Sequence, residues 1–266
     1  MPGYLKERDN TMKITKLLCF FSIFISLLFA TICSAKIDPD TIVGLWLFDE
    51  GKGDEAKDDV DKYDGQLEGN PEWVDGKFGK ALKFSGSDYI ELKDSGPDLH
   101  FGGTAAFTIT AWVQSNGGGT VIGKFNGGVI GAYIVTITGG IVGFHREVAP
   151  WGLSGTKALP AGDFGHLAVT YDGAEMKIYV NGELDTTQKR PAQNTDTATP
   201  VLIGARLTNG NPSDFFRGVL DEVALFNVAL TEDQIKEVMK GLSPKLQPVS
   251  AMEKLMTKWG AIKTAY

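Results

Sequence analysis

Carboxylates are crowded into one short stretch of the sequence, where they could bind a metal ion. Residues 49–64 hold eight of them, which are Asp49, Glu50, Asp54, Glu55, Asp58, Asp59, Asp61 and Asp64. Ca²⁺ takes about six to eight oxygen ligands from carboxylates and backbone carbonyls, and loops supply both. The spacing is not that of an EF-hand, since the sixth position counted from Asp59 is Asp64, where that motif has glycine. The alternative interpretation is an acidic loop that is simply solvated.

Two further acids stand in a strand-like segment, residues 218–226, GVLDEVALF. Period-two alternation places Asp221 on one face and Glu222 on the other, and both faces are otherwise apolar. At least one carboxylate is therefore expected to be buried, and a buried carboxylate needs a cation or strong donors. Without a metal, the expected partner is an arginine, either Arg217 or Arg206. Because the two acids are expected to point apart, they should not form the acid and nucleophile of a glycosidase.

Other catalytic patterns are missing from the sequence. No predicted strand carries alternating carboxylates, which would place the acid and the nucleophile of a glycosidase in one groove. No Gly-x-Ser-x-Gly turn occurs either. The three histidines disfavour a His-rich zinc site, and His166, which opens a predicted strand, is expected to be structural. We expect no catalytic residues and no enzyme. A hydrolase with an unrecognised site remains the third hypothesis.

Aromatic and polar residues that could bind a sugar lie in residues 144–151, FHREVAPW, and in the glycine-rich stretch 116–128. Trp151 follows a proline in a loop, so its ring face could stack on a sugar, and the polar residues could bond to hydroxyl groups. The candidate ligand-binding residues are Trp151, Arg146, His145 and Asn126. The alternative is that Trp151 covers one end of the fold. Residues 206–217, RLTNGNPSDFFR, form a second loop rich in Asn, Asp and aromatics.

Short strands and turns must position these residues. Between 166 and 188, Asp172-Gly173 and Asn181-Gly182 separate three β-rich runs, which predicts a three-stranded meander. Turn signals recur every 8–12 residues with no helical period, which indicates an all-β sandwich or a closely related barrel. A capping box at Thr231 predicts one short helix that ends near Gly241. Residues 243–266 read as a linker and a tail that could form one more helix.

These segments, in their order along the chain, resemble the laminin-G-like jelly-roll family of the concanavalin-A-like lectin/glucanase fold. The similar pieces are GLWLFDEGKG (44–53), YDGQLEG (63–69), GKALKFSGSDYIEL (79–92), FTITAWVQ (107–114), HLAVTYDGAEMKIYVNGEL (166–184) and GVLDEVALFNVALTEDQI (218–235). The resemblance covers about 42–242 and implies a two-sheet antiparallel β-sandwich over residues 36–242. It also implies a non-catalytic binding module for glycans or proteins. Many jelly-roll relatives place a structural calcium where the opening and closing strands meet, which implies Asp49, Glu50 and Asp221 as its ligands here.

The amino terminus reads as a signal peptide rather than as part of the fold. Residues 17–32, LLCFFSIFISLLFATI, form an apolar run that follows two lysines and precedes small residues, with Met12 as a possible start and cleavage after Ala35. The alternative is an uncleaved membrane anchor. Both cysteines, Cys19 and Cys33, lie in this segment, so a mature chain would have neither disulfides nor thiolate metal sites.

The overall charge narrows the choice of partners. The chain has 26 basic and 33 acidic residues, a net charge of −7, without a basic cluster that could bind nucleic acid. The first hypothesis is therefore a secreted or cell-envelope carbohydrate-binding module with a structural calcium. The second is a protein-binding or adhesive domain without a sugar site. Contact with a membrane is expected only through an uncleaved amino-terminal signal.

Overall fold

A computed structural model of the chain describes residues 36–92, 96–127, 130–149, 151–192 and 196–242. The predicted signal peptide, 1–35, and the predicted linker and tail, 243–266, lie outside the described residues, so both stay predictions. Among the helices of the described residues, none has the length and apolar character that crossing a membrane requires.

Seventeen strands and one α-helix make up the described part of the chain. In chain order the strands are β1 (Ile42–Trp46), β2 (Glu55–Ala56), β3 (Gly65–Glu68), β4 (Glu72–Asp75), β5 (Lys80–Ser85), β6 (Tyr89–Leu92), β7 (Phe107–Gly127), β8 (Ile130–Thr138), β9 (Ile141–His145), β10 (Gly152–Ala158), β11 (Gly165–Tyr171), β12 (Glu175–Val180), β13 (Glu183–Lys189), β14 (Leu202–Ile203), β15 (Arg206–Thr208), β16 (Asn211–Ser213) and β17 (Arg217–Phe226). The helix is Glu232–Val238, and short 3-10 turns occur at Pro39–Thr41 and Pro97–Leu99.

The strands form two sheets that share the long strand β7. The first sheet runs β4–β5–β17–β7–β11–β12–β13, with β1 also paired to β17. The second sheet runs β2–β3–β6–β14–β7–β8–β9–β10. Neighbouring strands are antiparallel, except that the hairpin β15–β16 joins the end of β7 through a parallel pairing. Gly118 and Gly119 stand where β7 leaves the first sheet and enters the second. Their φ angles of 87° and 111° suit glycine.

The main apolar core lies between the two sheets. Phe107, Ile109, Ala111 and Val113 of β7 point into it, as their alternation predicts. The predicted meander is confirmed as β11–β12–β13, and Asn181 and Gly182 have the positive φ angles, 51° and 77°, of a two-residue hairpin turn. The all-β, two-sheet antiparallel sandwich with a short C-terminal helix is therefore confirmed.

The C-terminal helix packs on the outer face of the first sheet. Its capping box is present, because the Thr231 hydroxyl accepts from the Gln234 amide and the Gln234 side chain accepts from the Thr231 amide. Ile235 and Val238 are buried in a second apolar cluster with β1 and the end of β17. The sequence prediction of this helix is confirmed.

A β-bulge in β17 corrects the predicted alternation of its two acids. Leu220 and Val223 both point into the core, and Asp221 and Glu222 stand between them. The pairing with β7 shifts between Asp221 and Ala224, and Glu222 has a φ of 48°. An extra residue in one strand changes which side its neighbours face, so both acids avoid the core. The prediction that they point to opposite faces is wrong.

Candidate functional site

A row of mostly aromatic side chains crosses the outer face of the second sheet. We call it the aromatic belt, and its members are Tyr89, Phe215, Arg206, Phe125, His145 and Trp151. The strand alternation accounts for its position, since Ile90 and Phe144 point into the core and their neighbours Tyr89 and His145 point away from it. The belt brings together both stretches that the sequence analysis selected for ligand binding.

Close contacts link one end of the belt to its middle. The ring centroids of Tyr89 and Phe215 are 6.2 Å apart. Asp214, next to Phe215, lies 3.4 Å from Arg206 through its Oδ2 and the Arg206 Nε. The Arg206 guanidinium in turn lies 5.5 Å from the centroid of the Phe125 ring, a cation–π contact.

The other end of the belt carries its most exposed member. The Phe125 ring meets the edge of His145 at 5.2 Å, and His145 stacks within 10° of the Trp151 plane at a centroid distance of 6.4 Å. Trp151 is 53% exposed, more than any other large hydrophobic residue in the described chain. Its left-handed backbone, φ 33°, is held by a 3.0 Å hydrogen bond from the Arg146 amide to the Trp151 carbonyl. The loop therefore presents an indole face to solvent.

Arg146 does not take part in this surface, although the sequence analysis proposed it as a ligand contact. It is fully buried, and its guanidinium lies 4.1 Å from the centre of the Tyr171 ring and donates to the Phe101 carbonyl at 3.0 Å. Strand alternation continues past Phe144 and His145, so Arg146 turns inward. The proposed ligand role of Arg146 is corrected to one of support inside the fold.

Asn126 supports the belt by holding the hairpin β15–β16. Its Oδ1 accepts a 3.0 Å hydrogen bond from the Gly210 amide at the tip of that hairpin. The hairpin carries Arg206, so this contact helps to place the guanidinium over Phe125. A direct contact between Asn126 and a ligand stays a prediction.

Phe125, Tyr89 and the contact of Arg206 were not part of the predicted site. Glycines were the available signal, since Gly131 pairs with Phe125 and a Cβ there would come within 2.6 Å of the Phe125 ring. Arg206 also lies over Gly123 but at an ordinary contact distance, since an added Cβ there would be 3.6 Å from the Arg206 Cβ. Glycine at such points indicates that a neighbouring group approaches the backbone closely.

The predicted metal ligands lie elsewhere, on the first sheet near the hairpin between β4 and β5. Asp49 Oδ1 accepts from the Lys80 amide at 2.8 Å, and Asp221 Oδ2 accepts from the Phe78 amide at 3.0 Å. Both carboxylates thus hold one turn from two sides, which agrees with the expected meeting of opening and closing strands. The arginine expected as the alternative partner of Asp221 is wrong, because the Phe78 backbone amide donates to Asp221 and Arg206 lies beside Asp214 instead.

Burial perturbs the acids of this region strongly. It raises the pKa of Asp221 to about 6 and that of Glu222 to about 7, and the charge of Asp49 adds to both shifts. Glu222 Oε2 accepts from the Leu242 amide at 2.6 Å, beyond the C-terminal helix. Asp221 Oδ1 and Glu50 Oε2 are buried, and neither oxygen has a hydrogen-bond donor in the part of the chain that the structure describes.

Hard, donor-free oxygens of this kind suit Ca²⁺. However, no group of three or more His, Cys, Asp or Glu among the described residues is arranged to hold a metal ion. Asp49, Glu50 and Asp221 would therefore need backbone carbonyls or water to complete a coordination shell. Calcium at this position stays a prediction.

Comparison with known proteins identifies the family. Human pappalysin-1 is 26% identical over 192 residues, which cover 60% of this chain and 11% of that much longer protein. Domain 4 of AbnA, a GH43 extracellular arabinanase from Geobacillus stearothermophilus solved with arabinotriose, matches with a TM-score of 0.58 and 21% identity over 74% of this chain and 98% of that one. The binding domain of botulinum neurotoxin DC, solved with rat synaptotagmin II, matches at 0.59 and 14% identity over 79% and 53%. At these identities the structures show a shared fold.

A family model described as the concanavalin A-like lectin/glucanases superfamily matches residues 84–236, more than half of the chain, and the protein therefore belongs to that superfamily.

Proposed function

We propose that this protein is an exported, non-catalytic carbohydrate-binding module and that the aromatic belt is its binding surface. The observation that carries the proposal is the continuity of the belt, which ends in an exposed Trp151 stacked parallel to His145. Aromatic faces bind the apolar face of a sugar ring, and nearby polar groups bind its hydroxyls. AbnA domain 4, which has the same fold, was solved with arabinotriose, and this adds support for a glycan ligand.

The use of the acids in the first sheet supports a role without catalysis. Asp221 and Glu222 each accept a hydrogen bond from a backbone amide, and both are buried. A glycosidase needs two carboxylates that face a common substrate groove at a set separation. These two acids instead serve neighbouring turns of their own chain.

A protein ligand is the second candidate function. About half of the toxin domain solved with synaptotagmin II, 53% of that chain, shares this fold, which supports a partner protein as the ligand of the aromatic belt. Trp151 would then serve as a central aromatic anchor, since exposed tryptophans often dominate protein interfaces.

Export and calcium belong to the same proposal. The apolar run at 17–32 supports a cleaved signal, and amino-terminal sequencing of protein recovered from the medium or the cell envelope tests it. The donor-free oxygens of Asp221 and Glu50 support a structural Ca²⁺. Thermal unfolding with Ca²⁺ and with EGTA tests that point, and equal midpoints would count against the metal.

A glycan array is the experiment that tests the binding function. The wild type should bind at least one glycan class, and Trp151→Ala should lose that binding with a melting temperature that stays within a few degrees. Leu184→Ala is the matched control, because Leu184 is 41% exposed but lies on β13 of the first sheet. Unchanged binding by the Trp151 variant would remove the belt as the sugar site, and an array without any signal for folded protein would favour a protein ligand.

A further inference from the structure

The belt is too long for a single sugar ring. Tyr89 stands on β6 and His145 on β9, with β14, β7 and β8 between them. Four steps between neighbouring strands, each about 4.8 Å, give a span of roughly 19 Å across the sheet. Trp151 extends the belt further, beyond β9.

A row of paired residues lies under this span and is buried in its middle, where Leu202 and Ile134 are 1% and 3% exposed, so the half-buried Arg206 above Gly123 forms the surface there. Cross-strand pairing aligns one row of residues, Glu91, Leu202, Gly123, Ile134 and His145. Directly paired residues of antiparallel strands share a face, so this row follows the belt from one end to the other. The row runs across the strands, and a ligand that contacts both ends of the belt must do so as well.

The charges beside the belt are mainly negative. Glu68 pairs directly with Tyr89 in the sheet, and Glu91 stands two residues further along the same face. At the other end, Glu147 Oε2 lies 3.1 Å from His145 Nε2. The guanidinium of Arg206, in the middle, faces the carboxylate of Asp214.

This charge pattern disfavours an anionic ligand. A sulfated or carboxylated chain would meet carboxylates at both ends of the belt and, in the middle, an arginine that already faces the Asp214 carboxylate, within a protein of net charge −7. Carboxylates instead accept strong hydrogen bonds from the hydroxyl groups of an uncharged sugar. On the basis of the proposed function, we infer that the belt binds a neutral glycan through several consecutive sugar units laid across the strands of the second sheet.

Affinity electrophoresis of the purified protein through gels that contain one polysaccharide each provides the first test. The neutral probes are arabinan, xylan, galactan, mannan and mixed-linkage β-glucan, and the acidic probes are polygalacturonate and heparin. We expect retention by at least one neutral polymer and by neither acidic one. Retention by an acidic polymer would overturn the inference of neutrality and leave the binding function intact. If no polymer retards the folded protein, the proposed function itself fails.

Calorimetric titration with oligomers of the retained polymer, from one sugar unit to six, tests the length of the site. The dissociation constant should fall by about tenfold or more between the monomer and the longest oligomer. Tyr89→Ala and Trp151→Ala remove opposite ends, so each should abolish most of this gain, whereas Leu184→Ala should keep it. Equal affinity for the monomer and the hexamer would overturn the multi-unit site and leave a single-ring site in its place.

Charge removal supplies an independent check. The triple variant Glu68→Gln, Glu91→Gln, Glu147→Gln keeps the shapes of the three side chains and removes their charge. It should gain retention by polygalacturonate that is lost again as salt is added, because screening weakens charge effects between exposed groups. A triple variant that still ignores acidic polymers would contradict the role of these carboxylates.

Discussion

Carboxylates are used in opposite ways in the acidic region, by which we mean Asp49, Glu50, Asp58, Asp221 and Glu222, and at the aromatic belt of the second sheet. In the acidic region, Asp58 and Asp221 are buried and accept hydrogen bonds from backbone amides. Beside the belt, Glu91 is half-buried and Glu147 is exposed, and within the described ranges no backbone amide donates to either carboxylate. The same functional group is thus part of the scaffold in one place and available to a ligand in the other. Burial and the presence of amide donors decide which role a carboxylate has.

We expect the largest loss of stability from substitution of Asp58. This carboxylate accepts from four backbone amides, which belong to Leu45, Val60, Lys62 and Tyr63. Asp58→Ala leaves buried donors unsatisfied, so the free energy of unfolding should fall by about 4 kcal/mol. Urea denaturation measures the change. The exposed neighbour Asp54 is the control, and Asp54→Ala should cost no more than about 0.5 kcal/mol. Similar losses for the two variants would mean that Asp58 is not a structural element.

The second largest effect on the free energy of unfolding should be its pH dependence, which we expect to arise at Glu222. The pKa of Glu222 is raised from 4.5 to about 7, so the folded protein holds this proton more tightly than the unfolded chain. The contribution of the protonated group is therefore complete below the unfolded pKa and is lost as pH rises through the folded pKa. Glu222→Gln keeps an acceptor for the Leu242 amide and removes the titration.

Glu222→Gln should match the wild type at pH 4.5 and exceed its unfolding free energy by about 2 kcal/mol at pH 8. Both proteins are measured with EDTA present, so that no cation replaces the proton. Taking the difference between variants cancels other titrations, such as that of buried His166, whose pKa is lowered to about 3. A constant difference across this pH range would show that Glu222 does not titrate in the expected way.

The sequence predicted the local features of the first sheet better than those that depend on how its strands pair. The meander β11–β12–β13 could be predicted because Asn181-Gly182 has one favoured geometry and acts locally. The meeting of Asp49 and Asp221 at one turn agrees with the order of the opening and closing strands. By contrast, the bulge at Glu222 could not be predicted. Period-two alternation assumes an extended backbone, and Glu222 has a left-handed φ. The bulge depends on how β17 pairs with β7, which is a tertiary property.

The belt was predicted only in part for a related reason. Trp151 and His145 are neighbours in the sequence, so they were found together. Phe125 and Arg206 meet only because the hairpin β15–β16 lies against the end of β7. Arg146 was proposed as a ligand contact because it lies in the same segment as Trp151, whereas the alternation of β9 carries it inward. Long-range contacts of this kind leave little trace in a single sequence.

Arg206 offers a smaller test of the belt. Arg206→Met keeps an apolar side chain over Gly123 but removes the cation–π contact with Phe125 and the pairing with Asp214. These contacts are partly exposed, so the cost in unfolding free energy should be about 1 kcal/mol or less. The affinity for a belt-spanning glycan should fall by about tenfold, because the middle of the platform is lost. A large loss of stability with unchanged affinity would place Arg206 in the scaffold.

Asn126 should give the smallest effect, since it acts through the hairpin that carries Arg206. Asn126→Ala removes the 3.0 Å hydrogen bond to the Gly210 amide, which lies near the surface and can bond to water instead. The expected cost is about 0.5 kcal/mol in stability and about threefold in glycan affinity. Combining it with Arg206→Met distinguishes positioning from contact. If Asn126 acts only through Arg206, the double variant binds no more weakly than Arg206→Met alone. An additive loss would instead assign Asn126 its own contact with the sugar.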